Sequence, residues 1–281
     1  MKTLIIRTLS GTVYVVLIVS AILLNNFYFA AVFGLLAALT TCEFHKLTNR
    51  LEYVSVTPVF PAIASFSLFI ICSMLHFSSG CKSSIYLSPS HIAVPIIFAV
   101  IYFAFYIFAF ILAIFRKKSN PVHNVAYAFF GQIYIAVPFV VMFCIKSGIG
   151  KIFLLALFVI IWVNDTFAYL TGSWLGKHKM YERISQKKSW EGFFGGLVGA
   201  LIAGFVFSKF DANLNLIQCL VFSVIIAVSG TLGDLFESLI KRTAGVKDSG
   251  NIMPGHGGFL DRLDSVIFAA LPAFIFLELC L

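Results

Sequence analysis

The chain has 281 residues, 60% of them hydrophobic and 11% charged, with a formal net charge of +8 and a mean hydropathy of +0.99. A soluble chain carries roughly 45–50% apolar and 25% charged residues, so this one belongs in a membrane. The 32 Phe and 10 Tyr exclude disorder, and so little polar surface excludes a nucleic-acid binder, which needs a duplex-sized basic patch.

Lys2 and Arg7 precede the first apolar run as they would in a signal peptide. No small-residue cleavage site follows before Asn25 and Asn26, so the run is expected to remain as a first transmembrane helix. About 20 apolar residues span roughly 30 Å of hydrocarbon. Nine such stretches can be drawn, at residues 5–24, 27–43, 57–77, 91–115, 124–145, 151–171, 192–208, 216–240 and 263–281. The expected fold is an all-α polytopic membrane protein of about nine transmembrane helices, a single integral membrane domain over residues 1–281. Residues 1–150 read as helical scaffold and residues 151–281 as the catalytic half. The stretch at 192–208 holds Gly192, Gly195, Gly196, Gly199 and Gly204 and is expected to pack tightly on a neighbour through small-residue contacts.

Lys and Arg accumulate in cytoplasmic loops. Alternate segments of the nine-span division hold Lys2 and Arg7, then Lys46 and Arg50, then Arg116 to Lys118, then the cations between Lys177 and Lys188, then Lys241, Arg242, Lys247 and Arg262. The intervening segments hold only Lys82, Lys146, Lys151 and Lys209. This alternation predicts a cytoplasmic N-terminus and an outside C-terminus. The six cysteines, Cys42, Cys72, Cys81, Cys144, Cys219 and Cys280, form no C-x-x-C pair and read as packing residues, not as a disulfide framework or zinc site.

A carboxylate inside apolar sequence is costly unless it faces a polar cavity, a cation or a partner. Asp165, Asp234 and Glu237 are such residues, and Asp261 and Asp264 open the last stretch. Asp165 lies roughly 21 Å along its helix at about 1.5 Å per residue, near the cytoplasmic end, and the other acids fall in the same stratum. Asp234 with Glu237, and Asp261 with Asp264, are spaced i,i+3 and would each share a helix face. Hard oxygen ligands from several elements suit Mg²⁺. For Asp234 and Asp261 the ligand reading is preferred. Glu237 could instead pair with Lys241 at i,i+4, and Asp264 could merely favour a helix N-terminus.

The last loop runs from Lys241 to Asp264. Its Gly255, Gly257 and Gly258 permit positive φ and an anion-binding concavity of backbone N–H groups. His256 among them either touches substrate or braces the loop, and Pro254 sets the turn. The loop from Gly176 to Gly192 has two readings as well. It is either a solvated basic loop touching anionic lipid, or a phosphate site built from Ser185, Lys188 and Ser189.

The run Ser238 to Asp264, with Lys241-Arg242, Lys247-Asp248, His256-Gly257-Gly258 and Asp261-Arg262-x-Asp264, resembles the signature of the phosphatidate cytidylyltransferases, or CDP-diacylglycerol synthases. Two further segments agree. Asp165-Thr166-x-Ala168-Tyr169 through Gly172, Gly176-Lys177-x-Lys179 and Ser185-x-x-Lys188-Ser189-Trp190-Glu191-Gly192 is similar to the family's middle motif, and Gly233-Asp234-Leu235-x-Glu237-Ser238 to its intramembrane acidic motif. The resemblance covers residues 164–264. Phe167, Gln186 and Ser189 stand where glycine, proline and threonine are frequent, and Met253 where Leu, Ile or Phe is usual; none of these departures removes a charged or metal-binding group.

The resemblance implies that CTP and phosphatidate are converted to CDP-diacylglycerol and pyrophosphate in phospholipid biosynthesis. Asp234, Asp261, Lys241 and Arg242 would act in catalysis. Ser185, Lys188, Ser189, Lys247, Asp248, His256, Gly257, Gly258 and Arg262 would bind substrate. Asp234, Asp261, Asp264, Asp165 and Glu237 would hold Mg²⁺ and, as a further option, a second cation. Asp165 is the least determined: it could hold that cation, bind substrate or brace Lys188. The partners expected are CTP, phosphatidate and the lipid bilayer, with a homodimer left open and nucleic acid excluded. The setting expected is a bacterial inner membrane with the site facing the cytoplasm. The alternatives are a CTP-dependent enzyme on another lipid phosphate or lipid alcohol, and an ion-coupled transporter using Asp165, Asp234 and Glu237. A transporter would place its site near mid-membrane.

Overall fold

The computed structural model describes residues 2–80, 89–115, 120–210, 213–253, 255 and 257–281. It is built of long helices: α1 Lys2–Leu23, α2 Asn26–Thr48, α3 Val59–Gly80, α4 Pro89–Phe115, α5 Pro121–Gly131, α6 Val137–Cys144, α7 Lys151–Leu175, α8 Trp190–Phe207, α9 Leu216–Thr243 and α10 Leu260–Cys280. Two π turns, Gln132–Ala136 and Ile145–Ile149, continue α5 and α6 into one rod over Pro121–Ile149. Eight rods among the described residues are long and apolar enough to cross a membrane, and Thr8–Leu23 is a shorter apolar helix beside them. The nine expected stretches therefore correspond to nine rods, and the chain is a polytopic integral membrane protein.

Local signals set the ends of these rods. Asn25 accepts the Tyr28 amide at 2.8 Å and starts α2, and Asn215 with Gln218 forms a capping box at α9. Outer faces stay apolar where lipid replaces water, as on α4 with Ile97, Val100, Phe103 and Ile107 exposed. Inside, Phe29 and Phe33 stack at 4.0 Å and are joined by Phe69, Phe139, Phe143 and Phe158. One set of buried polar groups pairs across three helices, which offsets the cost of placing them where no water enters. Thr41 on α2 meets Ser65 on α3 at 2.8 Å, Ser65 donates to Gln132, and Gln132 donates to the Pro61 carbonyl at 3.0 Å.

The glycines of α8 do pack closely, against α7. A Cβ on Gly199 would stand 2.6 Å from the Phe167 ring, so this pair of helices tolerates no side chain at that crossing. The departure from the expected elements is an antiparallel hairpin of β1 Lys179–Tyr181 and β2 Ser185–Ser189. Its strands are charged and lack an apolar alternation, so nothing local marks them. Contacts at the start of α8 hold the hairpin instead. The Trp190 amide donates to the His178 carbonyl at 3.0 Å, and the Glu191 carboxylate accepts from the Lys177 and His178 amides and sits 2.6 Å from His178 Nδ1.

Candidate active site

The last three turns of α9 place Asp234, Glu237 and Lys241 at i, i+3 and i+7, on one stripe of the helix. That stripe faces the start of α10, which carries Asp261 in its first turn and Asp264 just beyond it. Asp234, Glu237 and Asp264 each offer a carboxylate oxygen, and these oxygens lie within 4.8 Å of one another. Glu237 and Asp264 are buried. Three carboxylates so close, two of them buried, repel one another strongly unless cations compensate.

Two lysines supply part of that compensation. Lys188 of β2 reaches Asp234 at 2.6 Å. Lys241 is ion-paired with Glu237 and donates to Asp261 at 2.8 Å. The Oε2 of Glu237 takes Lys241, and its buried Oε1 has no hydrogen-bond partner among the described residues.

Asp261 stands apart from the trio because both its oxygens are engaged. Its Oδ2 accepts from the Ser249 amide at 3.0 Å, the Ser249 hydroxyl at 2.9 Å and the Gly258 amide at 2.8 Å, while Oδ1 takes Lys241. The residue thus fastens the glycine-rich loop to α9 and α10. Gly257 has φ +87 and Gly255 φ +76, conformations that side chains disfavour, and Met253 and Gly257 form an isolated β-bridge that narrows the loop. His256 and Pro254 lie outside the described residues.

A residue of the first half also enters here. Glu43 of α2 is buried and accepts the Leu260 amide at 2.9 Å, capping α10. A Cβ on Gly258 would collide with its carboxylate. Sequence reading leaves Glu43 outside the site. The signal that marks it is the same one that marks Asp234, a carboxylate set in an apolar run.

Asp234, Lys188, Lys241, Asp261 and Asp264 line one cleft of about 420 Å³, behind whose wall Glu237 and Glu43 are buried. Asp165, Asn164 and Tyr169 of α7 form one wall, Lys187, Lys188 and Ser189 another, and Asp234, Lys241, Asp248, Asp261, Arg262 and Asp264 the rest. A second pocket of about 460 Å³ shares Asp248 and Arg262 with it and adds Lys247, Asn251 and Gly257. Asp165 accepts from the Asn164 amide group at 3.3 Å. Ser189 spends its hydroxyl as the N-cap of α8, accepting the Gly192 amide at 3.1 Å. Ser185 pairs with Tyr181 across the hairpin. Arg242 donates to the Ile184 carbonyl at 3.2 Å and the Val246 carbonyl at 3.1 Å, tying the hairpin to the end of α9.

The donor set suits a hard divalent cation. It has three carboxylates from two helices, two of them buried, with the Oε1 of Glu237 unpartnered. A polytopic membrane protein with carboxylates, lysines and a glycine-rich loop around one polar cleft has the equipment to handle a phosphate ester at a lipid interface. The comparisons agree. The chain belongs to the cytidylyltransferase family, whose profile matches residues 5–280, and is a nucleotidyltransferase. It is 33% identical over 264 residues to a phosphatidate cytidylyltransferase of Staphylococcus haemolyticus (strain JCSC1435), covering 94% of this chain and 95% of the relative. A phosphatidate cytidylyltransferase of Staphylococcus aureus (strain COL) is 32% identical over the same share of both chains. One of Staphylococcus saprophyticus is 41% identical over 153 residues, 54% of this chain and 58% of the relative.

Proposed function

We propose that the cleft joins CTP to phosphatidate, giving CDP-diacylglycerol and pyrophosphate. The observation that carries this reading is the meeting of Asp234, Glu237 and Asp264 beside Lys188 and Lys241, in a chain of the cytidylyltransferase family.

A phosphate monoester has a second pKa of about 6, so the attacking oxygen of phosphatidate is already ionised at neutral pH. No general base is required. The obstacle is the gathering of negative charge, and the work of the protein is positioning and electrostatic neutralisation. Lys188 and Arg262, both lining the cleft, attract and orient the nucleotide phosphates, and Lys247 extends the positive field into the adjoining pocket. Asp261 and Lys241 keep the glycine-rich loop in register with α9 at the edge of the cleft. Asp234, Glu237 and Asp264 would hold Mg²⁺, which when bound supplies charge against the triphosphate and the departing pyrophosphate. Asp165 on the opposite wall is the further carboxylate available to a second cation or to substrate.

The alternation of cations along the chain supports a cytoplasmic site in a bacterial plasma membrane, with the N-terminus inside and the C-terminus outside. There the cleft meets both dissolved CTP and the lipid head group. The test is pyrophosphate release by purified protein with CTP, Mg²⁺ and one lipid at a time. Release with phosphatidate but not with diacylglycerol or a prenyl phosphate is expected. Equal release with a prenyl phosphate, or release with the alcohol alone, would contradict the reading.

A further inference from the structure

Tyr134 lies in the π turn Gln132–Ala136, in the half of the chain that carries little else of chemical interest. It is 7% exposed, and its ring is packed as any core phenylalanine would be. It stacks on Phe130 at 5.6 Å with an interplanar angle of 2°, and meets Phe236 of α9 at 5.4 Å and Phe44 of α2 at 5.7 Å. Packing alone therefore needs only the ring. Yet the side chain keeps a hydroxyl, and that hydroxyl is buried with no hydrogen-bond partner among the described residues. A buried O–H is normally satisfied, and an orphan calls for an explanation.

The surroundings supply one. The contact with Phe236 sets Tyr134 against the stretch of α9 between Asp234 and Glu237, and Phe236 in turn meets Phe268, one turn beyond Asp264 on α10. The carboxylates of Asp234, Glu237 and Asp264 lie within 4.8 Å of one another. An acceptor-rich cluster in which Oε1 of Glu237 has no partner thus lies beside the helix stretch that packs on a donor without an acceptor. The π turn accounts for the placement. Its widened backbone sends Gln132 towards Ser65 and Pro61 on α3, while the Tyr134 ring lies against α9. Such turns inside helices recur at functional sites.

We propose that Tyr134 is a positioning residue for the cation held by Asp234, Glu237 and Asp264. Its hydroxyl donates to a carboxylate oxygen that the cation leaves free, which fixes the orientation of that carboxylate. The inference rests on the cation reading given above. Removal of a hydrogen bond that orients a metal ligand typically weakens metal binding about 10- to 100-fold.

The test is Tyr134→Phe, which keeps the ring stack and removes only the oxygen. Mn²⁺ is titrated into purified protein without nucleotide, and free Mn²⁺ is followed by electron paramagnetic resonance. The Mg²⁺ concentration for half-maximal pyrophosphate release is measured beside it. Both are expected to rise at least about 10-fold in the variant. The unfolding temperature in excess chelator and the KM for phosphatidate should stay at their wild-type values. Wild-type Mn²⁺ affinity in Tyr134→Phe overturns the inference alone. A fall in unfolding temperature in chelator that accompanies any loss of affinity overturns it too, by assigning the hydroxyl to packing. Wild-type protein that binds no Mn²⁺ overturns the cation reading and this inference with it.

Discussion

Glu43 on α2 accepts the amide of Leu260 at the first turn of α10, at 2.9 Å and across 217 positions of the chain. The bond ties the first half of the protein to the loop that carries Gly257 and Gly258. Glu43→Ala would leave the Leu260 amide unsatisfied in a buried site, at about 1–3 kcal/mol. Lower thermal stability in detergent is expected, together with reduced pyrophosphate release. Glu43→Gln keeps an acceptor and should lose less; equal losses in the two variants would show that charge, not capping, is what matters.

Lys241 sits between Glu237 and Asp261, which belong to different helices. Removing one member of a buried ion pair strands the other charge, at about 3–5 kcal/mol. Lys241→Met should therefore unfold more readily than wild type by thermal denaturation in detergent, besides losing activity. A variant as stable as wild type but inactive would confine Lys241 to substrate contact.

Lys188 is bound to Asp234 at 2.6 Å yet lines the open cleft, so it can exchange that partner for a phosphate. A charge-assisted hydrogen bond is worth about 1.5–3 kcal/mol, so Lys188→Ala should raise the KM for CTP roughly ten- to hundredfold. An unchanged KM for CTP, measured at saturating phosphatidate, would return this loop to a structural or lipid-contacting role.

The α7–α8 crossing is closed by glycines, and a Cβ at Gly199 would press on the Phe167 ring. Overpacking costs typically 1–3 kcal/mol, so Gly199→Ala is expected to lower the unfolding temperature. Gly199→Ala with Phe167→Ala should recover part of the loss. No recovery in the double variant would mean that the crossing is not limited by that contact.

The rods were legible because a membrane span needs a long apolar run and little else, and because Asn25 and Asn215 cap their helices by purely local chemistry. The approach of Asp234, Glu237 and Asp264 was partly legible for a similar reason: i,i+3 spacing puts Asp234 and Glu237 on one face, and a carboxylate in hydrocarbon must find company. The hairpin was not legible. Lys179 to Ser189 carries no apolar alternation, and its strands are held by Glu191 and Arg242, side chains that lie outside it. Glu43 and Tyr134 escaped because their partners lie on helices distant in sequence. A lone Glu in α2 or Tyr in a Phe-rich rod says nothing locally about which helix it will face. Asp261 and Asp264 look alike in the sequence, but the fold gives the first to the loop and the second to the acidic trio.

The most direct measurement is the thermal shift of purified protein on adding CTP, with Mg²⁺ and with chelator, for wild type and for Asp234→Asn. Carboxylates of α9 and α10 that hold a divalent cation against the nucleotide require stabilisation by CTP in wild type with Mg²⁺, little in chelator, and little in the variant under either condition. The same shift with and without Mg²⁺, or a full Mg²⁺-dependent shift in Asp234→Asn, would contradict the assignment.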